Sequence, residues 1–88
     1  MTGADMPTRI LYERAREEGR RSALDAIREG TNATASEALV EWLDADAESD
    51  AIYRRNRGTA RAAFRRFARA FHQVIDRGAP EHGHEGGR

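Results

Sequence analysis

Arg54, Arg57, Arg61, Arg65 and Arg69 recur at three- and four-residue spacing through the C-terminal part of the chain. On a helix such residues share a face, and their planar guanidinium forks attract phosphates or carboxylates. Just ahead of them, Glu37 to Asp50 holds six acids and no Arg. That run is the natural counter-charge for the row, within one chain or across a subunit contact, where it would set partner and register. The acidic run is expected to neutralise the row internally; external nucleic-acid phosphates and an acidic protein partner are the alternative contacts for the row. The formal net charge is +0, yet residues 1–53 carry 6 Arg against 12 acids and residues 54–88 carry 9 Arg against 3 acids. Zero is therefore a sum over two oppositely charged parts.

Other residue types capable of chemistry have plainer readings. Glu37, Glu41, Asp44 and Glu48 form an acidic row, but acid–base catalysis needs carboxylates pushed apart in pKa by burial, and nothing apolar encloses these. Glu81-His82-Gly83-His84-Glu85 has the composition of a metal clip, in a Gly-rich tail that cannot preorganise ligands. Ser22, Ser36 and Ser49 each have a local helical role, with no His or Asp placed to activate them. His72 falls on the rim of an apolar face. With no Cys, disulfides, thiolate nucleophiles and Cys-based zinc sites are excluded; with no Lys, Schiff-base chemistry is too. No catalytic residue, metal site or cofactor is expected, and the chain reads as non-enzymatic.

The elements that position these residues are helical. Residues 1–7 read as a flexible arm, with Pro7 and Thr8 as helix entry. From 8 to 29 charges pair at i, i+3 and i, i+4, over an inner stripe of Leu11, Ala15, Gly19, Ser22/Ala23 and Ala26; Gly19 marks a bend or a close approach, and Gly30 the stop. Thr34-Ala35-Ser36-Glu37 fits a capping box that opens a helix over 35–47, with Ala38, Leu39, Trp42 and Leu43 on its apolar face. A third helix over 51–77 carries Tyr53, Phe64, Phe67, Phe71 and Val74 on one half-cylinder and the Arg row on the other. Gly58 is its weak point, Gly78 and Pro80 end it, and 79–88 read as a disordered tail.

Thirteen Ile, Leu, Val and Phe residues and sixteen Ala leave little bulk for a core. A lone monomer of this length is marginal, so self-association is expected. The fold predicted is an all-α, three-helix bundle in one domain, 8–78, with a long Arg-rich C-terminal helix, forming a homodimer. Trp42, Leu43, Phe64, Phe67, Phe71 and Val74 are the expected self-contact. Helices two and three should pack antiparallel. No apolar run is long enough for a membrane span or signal peptide, which places the chain in the cytoplasm.

Two resemblances bear on the nucleic-acid alternative. Ala26, Gly30, Thr34, Ser36 and Leu39 resemble a helix-turn-helix, but the turn is one residue short, and Glu37, Glu41 and Asp44 on the would-be recognition helix repel phosphates. Thr8 to Leu43 resembles a ribbon-helix-helix regulator in spacing and in its Ala-Ser-Glu-Ala-Leu segment. That resemblance implies a strand over Thr8–Arg14, helices over 17–30 and Ala35–Ala45, and a dimer reading the major groove through Arg9, Leu11 and Glu13. In such antitoxin-like proteins the C-terminal helix binds a partner protein. Yet Ile-Leu-Tyr-Glu-Arg-Ala-Arg lacks β-branched alternation and reads as helix. The function expected is a protein–protein interaction module that self-associates through its aromatic face. The alternative is a nucleic-acid-binding regulator using Arg54, Arg57, Arg61, Arg65 and Arg69. Accessory proteins of phages and mobile elements are often of this size, an analogy only.

Overall fold

Thr34 opens the second helix by the reciprocal bonds its sequence predicts. The Glu37 amide donates to its hydroxyl at 3.1 Å, and its own amide donates to the Glu37 carboxylate at 3.0 Å. The computed structural model describes residues 6–84, which form α1 (Met6–Glu29), α2 (Ala35–Ala45), α3 (Ala47–Tyr53) and α4 (Arg57–His84). No strand occurs among these residues. Thr8–Arg14, the strand of the ribbon-helix-helix resemblance, is the start of α1, because Leu11 begins the buried stripe Leu11, Ala15, Gly19, Ala23 and Ala26.

α1 stops at Gly30, whose φ of 70° is open to glycine at low cost. There the Thr31 amide donates to the Ala26 carbonyl at 3.0 Å and the Gly30 amide to that of Ile27 at 3.2 Å. These two bonds satisfy carbonyls that the helix end leaves open.

The helix expected over 51–77 is two helices. α3 ends at Tyr53, and Asn56 then caps α4 by accepting the Thr59 amide at 2.8 Å. The break therefore falls at 54–56, ahead of Gly58, which sits in the first turn of α4. α2 is also shorter than 35–47: Asp46 closes it and caps α3, accepting the Ser49 amide at 3.1 Å. Ser49 lies in the first turn of α3 and is fully buried. α4 runs past Gly78 and Pro80 to His84. Gly78 stays helical under the Ile27 side chain, which occupies the place a Cβ would take. Most of the expected arm (1–5) and the last four residues of the expected tail (85–88) lie outside the described residues.

Contacts across the helices fix their directions. Gly19 meets Phe67 and Ile27 meets Gly78, so α1 and α4 run parallel. α2 returns antiparallel to α4, with Trp42 stacked on Phe67 (centroids 5.6 Å, interplanar 6°) and Ala35 near Phe71. Phe67 in turn stacks on Phe71 at 6.4 Å. α3 closes the lower end, where Arg14 of α1 donates to Ser49 at 3.1 Å. The core is Leu11, Leu39, Trp42, Leu43, Phe67 and Phe71 with the alanines of all three long helices.

The residues expected at a self-contact thus have a place within one chain. Trp42, Leu43, Phe67 and Phe71 are buried among α1, α2 and α4, and Phe64 and Val74 are half-buried against the same cluster. Two short segments together with α1 supply enough surface to cover the stripe.

Candidate functional site

The Arg row starts at the end of α3 and runs up the outside of α4. Arg54 is the one member paired with the acidic run: its Nε donates to both Asp50 oxygens at 2.9 and 3.0 Å. Arg57, Arg61, Arg65 and Arg69 are exposed and make no ion pair with any described carboxylate. Internal neutralisation of the row is therefore corrected to a single pair.

The reason lies in what each helix buries. α2 meets α4 through Leu39, Trp42 and Leu43, so its carboxylates are turned outward. Glu37 and Glu41 join Asp25 and Glu29 along a groove between α1 and α2. Asp46 and Glu48 are instead met by Arg14 of α1, each at 3.5 Å. Of the acidic run, Asp46 and Glu48 meet Arg14 and Asp50 meets Arg54, and the rest of the Arg row is left to solvent.

On the other flank of α1, its seam with α4 opens into a groove of about 510 Å³. Arg16 enters from α1; Arg65, Arg66, Arg69 and Gln73 enter from α4, over Ala70. Arg66 is held in place twice. Its guanidinium lies 4.1 Å above the Tyr12 ring, and its Nη1 donates to the Ala62 carbonyl at 3.1 Å. A cation–π contact of this kind is worth about 0.5–1 kcal/mol at an exposed site. The fixed fork leaves its remaining N–H groups free to meet a ligand with less entropy to lose. Sequence spacing found Arg65 and Arg69. It missed Arg66, which stands next to the row but off its face, and Arg16, which is on another helix. The signal available was that Tyr12, Arg16 and Arg20 share one flank of α1.

All of these groove-lining polar groups are donors apart from the Gln73 carbonyl, so the groove offers hydrogen bonds and positive charge to an anion. Elsewhere the titratable groups have structural partners. Burial pushes the Asp46 carboxyl up, but the Ser49 amide and hydroxyl, the Trp42 indole N–H and Arg14 outweigh it and hold Asp46 below the usual carboxylate range. Burial raises the Tyr53 phenol above its ordinary value, with Arg54 opposing. His72 is exposed, edge-on to Phe71 at 5.7 Å. Ser22 lines the acidic groove and Ser36 is exposed. No cluster of three potential metal ligands forms among the described residues, and the side chains at 81–85 lie outside them. No helix among the described residues is long and apolar enough to cross a membrane.

Comparison with protein-family models, curated proteins and solved structures finds no significant match for this chain.

Proposed function

We propose that this chain is a non-enzymatic, cytoplasmic binding module whose ligand is a nucleic-acid duplex, held through its phosphates. The observation that carries this reading is the set of guanidinium groups at Arg16, Arg65, Arg66 and Arg69, which converge on one groove without a described carboxylate partner. Arg57 and Arg61 extend the basic surface down α4, one turn apart. Phosphates need no more than such a row, because their contacts position a protein without reading sequence. Stacking on single-stranded bases is disfavoured, since Trp42, Phe67 and Phe71 are in the core and Tyr12 already carries Arg66.

The test is anisotropy of a short labelled DNA duplex at low salt, with polyglutamate as competitor. Binding that the duplex holds against polyglutamate, and that Arg65→Glu/Arg69→Glu abolishes, is expected. Absence of binding, or binding untouched by that double variant, overturns the reading. Preferential capture of polyglutamate transfers the groove to an acidic protein.

Protein–protein interaction, including self-association, is the second reading. It is favoured by Met6, Ile10, Leu24 and Ile27, which are all large, apolar and exposed on α1.

A further inference from the structure

α1 has an outer face that its own chain leaves bare. Met6, Ile10, Glu13, Glu17, Arg20, Leu24 and Ile27 recur at alternating four- and three-residue spacing, and every one is exposed. That spacing places them in one seam along the helix. The face lies opposite the buried stripe Leu11, Ala15, Gly19, Ala23 and Ala26, and α4 touches it only at its C-terminal end, where Ile27 meets Gly78. Four of the five large exposed apolar residues found among the described residues belong to this seam: Met6 (56%), Ile10 (42%), Leu24 (47%) and Ile27 (38%).

The order along the seam is apolar, acidic, basic, apolar. Reversed, it complements itself. Laid antiparallel on a second copy, Met6 and Ile10 reach Leu24 and Ile27, Glu13 reaches Arg20, and Glu17 lies at the two-fold axis. The same contacts recur by symmetry at the other end, as a two-fold interface requires. Laid parallel, Glu13 and Arg20 would each face their own copies instead of each other, and like charges brought together at an interface are strongly unfavourable. The apolar ends also have somewhere to go. Leu24, Ile27, Val74 and Gly78 line a groove of about 390 Å³ flanked by Arg20 and Arg77. The flexible Met6 side chain of the second copy suits such an irregular gap.

We infer that the chain forms a two-fold dimer through antiparallel pairing of α1 with the α1 of a second copy. This goes beyond the phosphate-binding reading and does not depend on it. It also moves the self-contact from the aromatic face of α4, which the core occupies, to the outer face of α1. The seam is short and its centre is polar, so the dimer is expected in the micromolar range rather than as a permanent assembly.

Sedimentation equilibrium at moderate salt tests it. The wild-type chain should fit a monomer–dimer equilibrium reaching twice 9.9 kDa. Leu24→Asp, and separately Glu13→Arg/Glu17→Arg, should each weaken the dimer by at least about tenfold. Their helical circular dichroism should be unchanged, because all three positions are exposed. Adding Arg20→Glu to the Glu13→Arg/Glu17→Arg variant should recover the dimer by restoring the pair between positions 13 and 20, which only antiparallel pairing allows. A wild-type monomer at every concentration, or a dimer indifferent to these substitutions, overturns the inference; duplex binding by Leu24→Asp reports separately on the phosphate site.

Discussion

Gly19→Ala is a substitution whose sign the geometry decides against helix propensity. On an exposed helix, alanine gains up to about 1 kcal/mol over glycine. At position 19 a Cβ would run into the Phe67 carbonyl oxygen and stand 3.1 and 3.2 Å from the Phe67 carbonyl carbon and Cα. The obstacle is the backbone of a parallel helix, which cannot turn aside as a side chain does. α1 and α4 would have to separate, loosening Leu11, Ala15, Ala63 and Phe67, all fully buried. Overpacking of this sort costs about 1–3 kcal/mol, which exceeds the propensity gain. For a domain of this length, the net loss of about 1 kcal/mol that remains lowers Tm by about 4–8 °C. Gly58→Ala is the internal control, since its nearest neighbour is the Asn56 side-chain oxygen at 3.4 Å. It should leave Tm unchanged or raise it slightly. Thermal denaturation followed by circular dichroism reads both. A Gly19→Ala chain as stable as Gly58→Ala would refute the close parallel crossing of α1 and α4.

Asp46 links α2, α3 and α1, and its lowered pKa gives the acid response a sign. Its stabilisation is present above the unfolded value, about 3.9, and is lost as pH falls through the still lower folded value. Asp46→Asn should therefore be less stable than wild type at pH 7 and should converge on it in acid; a constant difference across that range contradicts the assignment. Thr34→Ala should cost about 1 kcal/mol in urea unfolding by loss of the capping box; no change would mean that α2 is held by packing alone. Trp42→Ala removes the ring stacked on Phe67 and should cost about 3–5 kcal/mol, a large share of the stability of so small a chain. A cooperative transition of normal midpoint in that variant would show that the aromatic stack is not the core.

Local features were legible in the sequence because their causes are local. The box at Thr34 and Glu37, the Gly30 stop and the Asp25–Arg28 pair each depend on residues within five positions. The apolar face of α2 and the small-residue stripe of α1 were legible for the same reason. What the sequence left open was pairing at a distance. Gly19 on α1 and Ala63 and Ala70 on α4 all permit close approach, but nothing in their spacing says that they meet. That choice decided the charges. Once α2 spends Trp42 and Leu43 on α4, its carboxylates face outward, and the Arg row loses the partners that its proximity in sequence suggested. The break at Asn56 was hidden because helical periodicity in apolar residues carries across it from Tyr53 to Ala60. Arg66 drew no notice beside Arg65, since its importance comes from Tyr12 on another helix.

The salt dependence of duplex binding bears most directly on the claim that the groove captures phosphates. Each phosphate neutralised contributes about −0.9 to the slope of log K against log salt, so four arginines predict a slope of about −3.6. Arg65→Ala/Arg69→Ala should bring it to about −1.8, with the circular dichroism unchanged. A slope near zero in the wild-type chain, or one that the double variant leaves intact, would contradict the account.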